Sequence, residues 1–152
     1  METSLSTLIP KFIALIEQDR GTIQPPVAEV ELATYELRWN VTLPADMREF
    51  YATMNGTGDA TDSVTDYLFR IWPLEEVRPI PNMEPPLSPT YATIEDAAHY
   101  LCFSDYLLNS DVYAIHAADS TRVITVYSGH RQVARNFTDF IDRLVTNFEL
   151  LF

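Results

Sequence analysis

The chain has 152 residues, of which 47% are hydrophobic and 12% aromatic, and this composition predicts one folded domain with a hydrophobic core. Ten basic residues face twenty-two acidic ones, and the formal net charge of −12 argues against direct binding to nucleic acid. No apolar run is long enough to cross a membrane, so we expect no membrane span.

Two amphipathic helices are predicted at the start of the chain. Apolar residues between Leu5 and Ile16 recur at helical spacing and predict an N-terminal helix, although Pro10 disfavours helix near its start. Pro25-Pro26 is predicted to open a second helix, because proline fits the first helical turn. One face of this second helix carries Ala28, Leu32, Tyr35 and Trp39.

A third helix is predicted after Leu43. Pro44 fits its first turn, and Asn55-Gly56 ends it, because both residues tolerate the left-handed backbone conformation that closes many helices. Its apolar face carries Met47, Phe50, Tyr51 and Met54.

The middle of the chain predicts a sheet. Residues 57–66 are small, polar and acidic and predict a loop, whereas residues 67–72 predict a strand. Five prolines between residues 78 and 89 argue against helix or central strand, so we predict a long surface loop there. Further strands are predicted at residues 98–103, 112–117, 123–127 and 131–134.

The closing helix has the clearest signal. Asn136 is a good N-cap, and Asp139 lies in the first turn, where negative charge is favourable. A continuous apolar stripe follows, with Phe137, Phe140, Ile141, Leu144, Val145 and Phe148. Helices, then strands, then a helix predict an α+β fold, in which an antiparallel or mixed sheet of four to six strands packs against helices. We expect one domain over residues 1–152.

No pattern in the sequence predicts catalysis, a metal or a cofactor. The four glycines form no phosphate-binding loop, and His99, His116 and His130 stand singly, without metal-ligand spacing. Cys102 is the only cysteine, and its apolar neighbours predict a small buried strand residue. A lone cysteine and an N-terminus without secretory features make a reducing, cytoplasmic location the simpler expectation.

Acidic residues are grouped along the chain. No basic residue lies between Arg48 and Arg70, or between Arg78 and Arg122, while acids fall in both gaps. If they share a face, their field would speed encounter with a basic partner; the alternative is that they lie on different faces and only solvate the domain. The candidate partner-binding residues are Asp59, Asp62, Asp66, Glu75, Glu76, Glu84, Glu95, Asp96, Asp105 and Asp111.

Four segments in a fixed order resemble the SUKH superfamily over roughly residues 26–148. They are residues 43–56 with the Leu-Pro pair and Asn-Gly stop, residues 71–77 with Ile-Trp-Pro-Leu, residues 102–115 and residues 137–141. Glu36 also stands where the family usually has a glutamate ahead of the Leu-Pro pair, and we interpret it as part of the architecture.

The SUKH superfamily includes fungal cell-wall-assembly regulators and many bacterial immunity proteins. The resemblance implies a binding protein and not an enzyme: an immunity-type protein that neutralises a cognate toxin, often a nuclease or deaminase, by masking its basic surface or active site. The partner would be that toxin or another basic protein, with no cofactor, nucleic acid or membrane involved. A regulatory or scaffold module, as in the fungal relatives, is the alternative, and a monomer and a weak dimer both stay open.

Overall fold

The computed structural model describes residues 3–18, 22–57, 69–87, 94–107, 109–118 and 121–152. Its helices are α1 (Leu5–Gln18), α2 (Glu29–Trp39), α3 (Ala45–Thr53) and α4 (Phe137–Thr146). Its strands are β1 (Phe69–Ile71), β2 (Arg78–Pro79), β3 (Tyr100–Tyr106), β4 (Asp111–His116), β5 (Val123–Thr125) and β6 (Gln132–Ala134). The predicted α+β class with a sheet of four to six strands is therefore confirmed, and the described sheet has six strands.

The sheet is antiparallel, in the order β1-β3-β4-β5-β6, with β2 also paired to β3. Ile71 of β1 stands opposite Ser104, and Arg78 of β2 stands opposite Cys102, so β1 and β2 occupy successive stretches of the same edge of β3. The backbone N–H of Trp72 donates to the carbonyl of Phe103 at 2.8 Å, where the register of β3 shifts. The two short strands thus form one interrupted edge strand.

Helices cover one face of this sheet through aromatic contacts. The ring of Phe103 lies 5.5 Å from that of Phe137 and 5.0 Å from that of Phe140, and Tyr113 contacts Phe140 at 5.2 Å. Phe50 of α3 joins this cluster, with its ring 5.1 Å from Phe137 and 5.6 Å from Phe12 of α1. The stripes predicted for α3 and α4 therefore form the core between helices and sheet.

The cap predicted for α4 is confirmed, whereas α3 ends before the predicted Asn55-Gly56 stop, at Thr53, and its C-cap Met54 is extended. Asn136 caps α4 by accepting a hydrogen bond from the N–H of Asp139 at 2.7 Å. Asn40 ends α2 in the left-handed conformation, with φ of 53°, which asparagine tolerates better than most residues. α1 continues through Pro10, so the proline does not break it.

The second helix begins later than predicted, at Glu29 and not at the proline pair. Residues 24–27 instead have no regular secondary structure and are bonded to the end of α3: the N–H of Val27 donates to the Tyr51 carbonyl at 2.8 Å, and the N–H of Asn55 donates to the Pro25 carbonyl at 2.9 Å. A residue that precedes proline is disfavoured in the helical region, so Pro26 opposes helix at Pro25.

The prediction of a plain surface loop from residue 78 is wrong for its first part. Residues 78–79 form β2, residues 80–82 form a 3₁₀ turn, and Ile80 is buried. Proline is compatible with a strand at the edge of a sheet, where its missing N–H is not needed, and Pro79 lies at such an edge. Residues 88 and 89 of the predicted loop lie outside the described residues, as do residues 67 and 68 of the predicted first strand.

Candidate functional site

The face of the sheet opposite α1, α3 and α4, called here the open face, carries Arg70 of β1 and Asp105 of β3, and its strand residues are themselves buried. Side chains alternate between the two faces of a strand, so Arg70 points away from its neighbours Phe69 and Ile71. Arg70 stands opposite Asp105, which in turn stands opposite Val112. These three residues therefore belong to the open face.

A charged cluster of buried Arg70 and Asp105 with exposed Glu76 forms the floor of the first cleft on the open face. The guanidinium of Arg70 lies 3.2 Å from Asp105 Oδ2 and 3.0 Å from Glu76 Oε2. The indole N–H of Trp72 donates to the same Oδ2 of Asp105, and the Arg70 guanidinium lies 5.6 Å from the Trp72 ring. Two ion pairs and a cation–π contact converge on the Arg70 guanidinium, and the Trp72 hydrogen bond fixes Asp105, so the floor of the cleft is held in one arrangement.

The rim of this first cleft, with a volume of about 200 Å³, comes from the segment after β2. Arg78 Nη1 lies 3.2 Å from Glu84 Oε2, and the Glu84 side chain is 78% exposed. Arg78 also lies 5.8 Å from the Trp39 ring, so this arginine links the rim to α2. The remaining lining includes Met83, Leu87 and Tyr127. The cleft thus combines apolar walls with exposed glutamates whose charge is partly matched by arginines.

A second cleft, of about 410 Å³, lies further along the open face and is lined by Glu95, Tyr100, Arg122 and Ile124 among others. Arg122 Nε donates to the Tyr100 hydroxyl at 2.6 Å, and this hydrogen bond raises the pKa of Arg122. Nearby, buried His116 lies 3.6 Å from Asp96 Oδ2. Exposed Glu95 and Arg122 thus line the same cleft, as Glu84 and Arg78 do in the first cleft.

The structure brings some of the predicted partner-binding residues together. Glu76, Glu84 and Glu95 line the two clefts of the open face, and Asp96 lies close by. Glu75 faces elsewhere: it accepts a hydrogen bond from the Asn55 side chain at 2.9 Å and lines a cleft beside α2. The remaining three loop acids, Asp59, Asp62 and Asp66, lie outside the described residues.

Two of the predicted partner-binding residues are not on the surface. Asp105 is 3% exposed and Asp111 is 8% exposed, so neither carboxylate is available to a partner in this conformation. Asp111 accepts from the N–H of Tyr127 at 3.1 Å and from the Ser128 hydroxyl at 2.6 Å, which fixes the chain after β5. Burial with full hydrogen bonding gives both aspartates a structural role.

Arg70 and Arg78 were not among the residues predicted for the site, although both line the first cleft. The alternation Phe69-Arg70-Ile71 carries a signal for Arg70, because a cation between two core residues of a strand lies on the opposite face. Nothing local indicated Arg78, which stands in the proline-rich segment. The predicted burial of Cys102 is confirmed, and Trp72 is buried as well.

Cys102 is a free, buried cysteine. Burial raises the pKa of the Cys102 thiol, which keeps it protonated and unreactive. The described residues hold no group of three or more histidine, cysteine, aspartate or glutamate side chains arranged to bind a metal ion. Among the described helices, none combines the length and apolar character needed to cross a membrane.

The order of elements and the helices packed on one face of an antiparallel sheet define a small α+β domain. The chain belongs to the SMI1 / KNR4 family (SUKH-1), whose family model matches residues 26–143. Members of this family are generally non-catalytic immunity or regulatory proteins, and the family is typical of immunity proteins in polymorphic toxin systems. No curated protein matches this sequence significantly.

Proposed function

We propose that this chain is a cytoplasmic immunity-type protein that neutralises a cognate toxin by binding it in a one-to-one complex, without catalysis or cofactor. The open face contacts a basic surface of the toxin, such as the nucleic-acid-binding surface of a nuclease or deaminase. The proposal rests on family membership for the class of function and on the net charge of −12 for the kind of partner.

The observation that carries the proposal is the position of Glu76, Glu84 and Glu95. All three are exposed, and all three line clefts on the open face. A carboxylate has about four acceptor positions, so Glu84 accepts from an incoming cation while still paired with Arg78. Such groups raise the association rate with a basic protein and lose that effect as salt rises.

The clefts also contribute apolar contact. Met83, Leu87 and Tyr127 line the first cleft together with the edge of Trp72, and aromatic and methionine side chains are enriched at protein interfaces. A partner side chain that enters this cleft meets a rigid floor, since Arg70 is held by Asp105 and Glu76. We therefore propose that the cleft determines which partner binds, and that the glutamates at its rim determine how fast the partner associates. Asp59, Asp62 and Asp66 belong to the same proposal as further carboxylates for association.

The test uses the protein encoded beside this chain's gene as the toxin. We expect co-expression to rescue growth and the purified pair to form a one-to-one complex. The double variant Glu84→Gln/Glu95→Gln should lower the association rate several-fold at low salt and little at high salt. The matched control is Glu49→Gln/Glu149→Gln, because both glutamates are exposed but lie on α3 and on the turn after α4.

Equal effects of the two double variants would remove the open face from the proposal. Absence of both growth rescue and complex formation would contradict the immunity role itself, and would favour the regulatory module known among fungal relatives.

A further inference from the structure

The outward side of α2 carries an apolar stripe. Val30 is 71% exposed and Leu37 is 83% exposed, which makes them the two most exposed large hydrophobic residues of the described chain. The stripe is about two helical turns long, and the small exposed residues Ala33 and Thr34 lie between its ends. The inward side of α2 is already occupied, since Leu32 and Tyr35 are buried.

The charges beside this stripe have opposite sign at its two ends. Glu31 lies in the first turn of α2 and Arg38 in the last. Within the described part of the chain neither forms an ion pair, and Arg38 only lies 5.0 Å from the Trp39 ring. By contrast, Glu29 is held by Arg48 at 2.7 Å. One side of the stripe therefore presents an uncompensated anion at one end and an uncompensated cation at the other.

This arrangement is self-complementary when the α2 helices of two copies pack antiparallel to each other. With a two-fold axis passing between Ala33 and Thr34, Val30 of each copy stands opposite Leu37 of the other. Glu31 and Arg38 lie on the same side of the stripe at helical spacing, so the same operation brings Glu31 of one copy near Arg38 of the other. The small side chains at the centre allow the two helix backbones to approach closely.

We propose that a second copy of this chain docks antiparallel on α2 and forms a two-fold symmetric dimer through Val30, Leu37, Glu31 and Arg38. The partner is a second copy because both the apolar ends and the charges match under a single two-fold operation, as an isologous interface requires. α2 has only 11 residues, so the interface is small and the dimer dissociates in the micromolar to submillimolar range. Val30, Ala33, Thr34 and Leu37 line neither cleft of the open face, so the dimer is independent of the function proposed above.

The experiment measures the mass of the purified chain in solution by sedimentation velocity from micromolar to submillimolar concentration. We expect the wild type to move from the mass of one chain towards that of two. Leu37→Glu should raise the dissociation constant at least about tenfold, because it places two carboxylates in the apolar contact. The matched control Leu150→Glu changes another exposed leucine, 50% exposed, and should leave the association unchanged.

A charge exchange tests the register of the two helices. Arg38→Glu should weaken the dimer, because it leaves Glu31 facing a second carboxylate. The double variant Glu31→Arg/Arg38→Glu should restore it, since each pair across the axis is again of opposite sign. A wild type that keeps the mass of one chain throughout would overturn the proposal and leave the stripe to a different protein. Equal weakening by Leu37→Glu and Leu150→Glu, or a double variant no better than Arg38→Glu, would overturn it as well.

Discussion

Arg70 and Asp105 form an ion pair inside the protein, with Nε 3.2 Å from Oδ2 and both side chains almost fully buried. A buried charge that loses its partner is strongly destabilising. We therefore expect Asp105→Ala to lower the free energy of unfolding by roughly 3–5 kcal/mol. Urea denaturation followed by circular dichroism measures the change. The double variant Arg70→Met/Asp105→Leu should lose less, because it removes both charges together. A double variant less stable than Asp105→Ala would contradict this account.

Glu36 joins α2 to the segment before α3. Its carboxylate accepts from the backbone N–H of Leu43 at 2.8 Å and from Arg48 Nε at 3.3 Å. We expect Glu36→Ala to lower the free energy of unfolding by about 1–3 kcal/mol, because Leu43 N–H loses its partner. Exposed Glu49 on α3 is the control, and Glu49→Ala should change stability by less than about 0.5 kcal/mol. Equal urea midpoints for the two variants would show that the Glu36 contact contributes nothing.

Gly56 and Gly129 share a left-handed backbone but differ in the space around them. A Cβ on Gly56, where φ is +79°, would lie 2.5 Å from the Ile71 carbonyl oxygen, whereas a Cβ on Gly129 would meet nothing within 4 Å. We expect Gly129→Ala to cost about 1–2 kcal/mol from backbone conformation alone. Gly56→Ala should cost more than about 3 kcal/mol, because strain and overlap add. Thermal unfolding of both variants compares them, and similar melting temperatures would rule out the close approach at Gly56.

Because three tyrosines are buried, we expect the free energy of unfolding to fall at alkaline pH. Burial raises the pKa values of Tyr35, Tyr51 and Tyr113 from the ordinary value of 10.0. Below that pH the three are neutral in the folded and the unfolded chain, so their shifts leave the free energy of unfolding unchanged. Above it the unfolded chain releases protons that the folded chain keeps, so the free energy of unfolding falls as pH rises.

Urea denaturation at a series of pH values, with tyrosinate absorbance as a second signal, measures this fall. Tyr113→Phe removes one of the three ionisable groups and should make the fall shallower above about pH 10. It also removes the 3.1 Å hydrogen bond to the Leu151 carbonyl, so its effect at neutral pH is the baseline. A variant with an unchanged slope would show that Tyr113 does not contribute.

The sequence predicted the helices well where apolar spacing and a cap agreed. For α4, the stripe from Phe137 and the Asn136 cap both mark the same element, and both are local signals. β2 was missed because a proline-rich segment disfavours regular structure unless an edge position accepts it. It pairs with β3 at Cys102, which lies far along the chain, so no local sequence pattern indicates this pairing.

The candidate site was less predictable than the fold. Asp105 and Asp111 have the residue type of a surface acid, but each is buried because a distant group satisfies it. For Asp105 these groups are Arg70 and Trp72, more than thirty positions away. Glu84 and Glu95 could be predicted as exposed residues from the sequence, because acidic side chains in loops are usually exposed. Their position on a common face required the sheet.

The interrupted strand formed by β1 and β2 has a consequence for behaviour at high concentration. The strand is interrupted between Trp72 and Val77, so this edge offers another chain only short stretches for pairing. The other outer strand, β6, has three residues, and exposed arginines stand directly before and after it. Short edges flanked by charge resist strand addition from neighbouring molecules. This construction protects the sheet from amyloid-like aggregation.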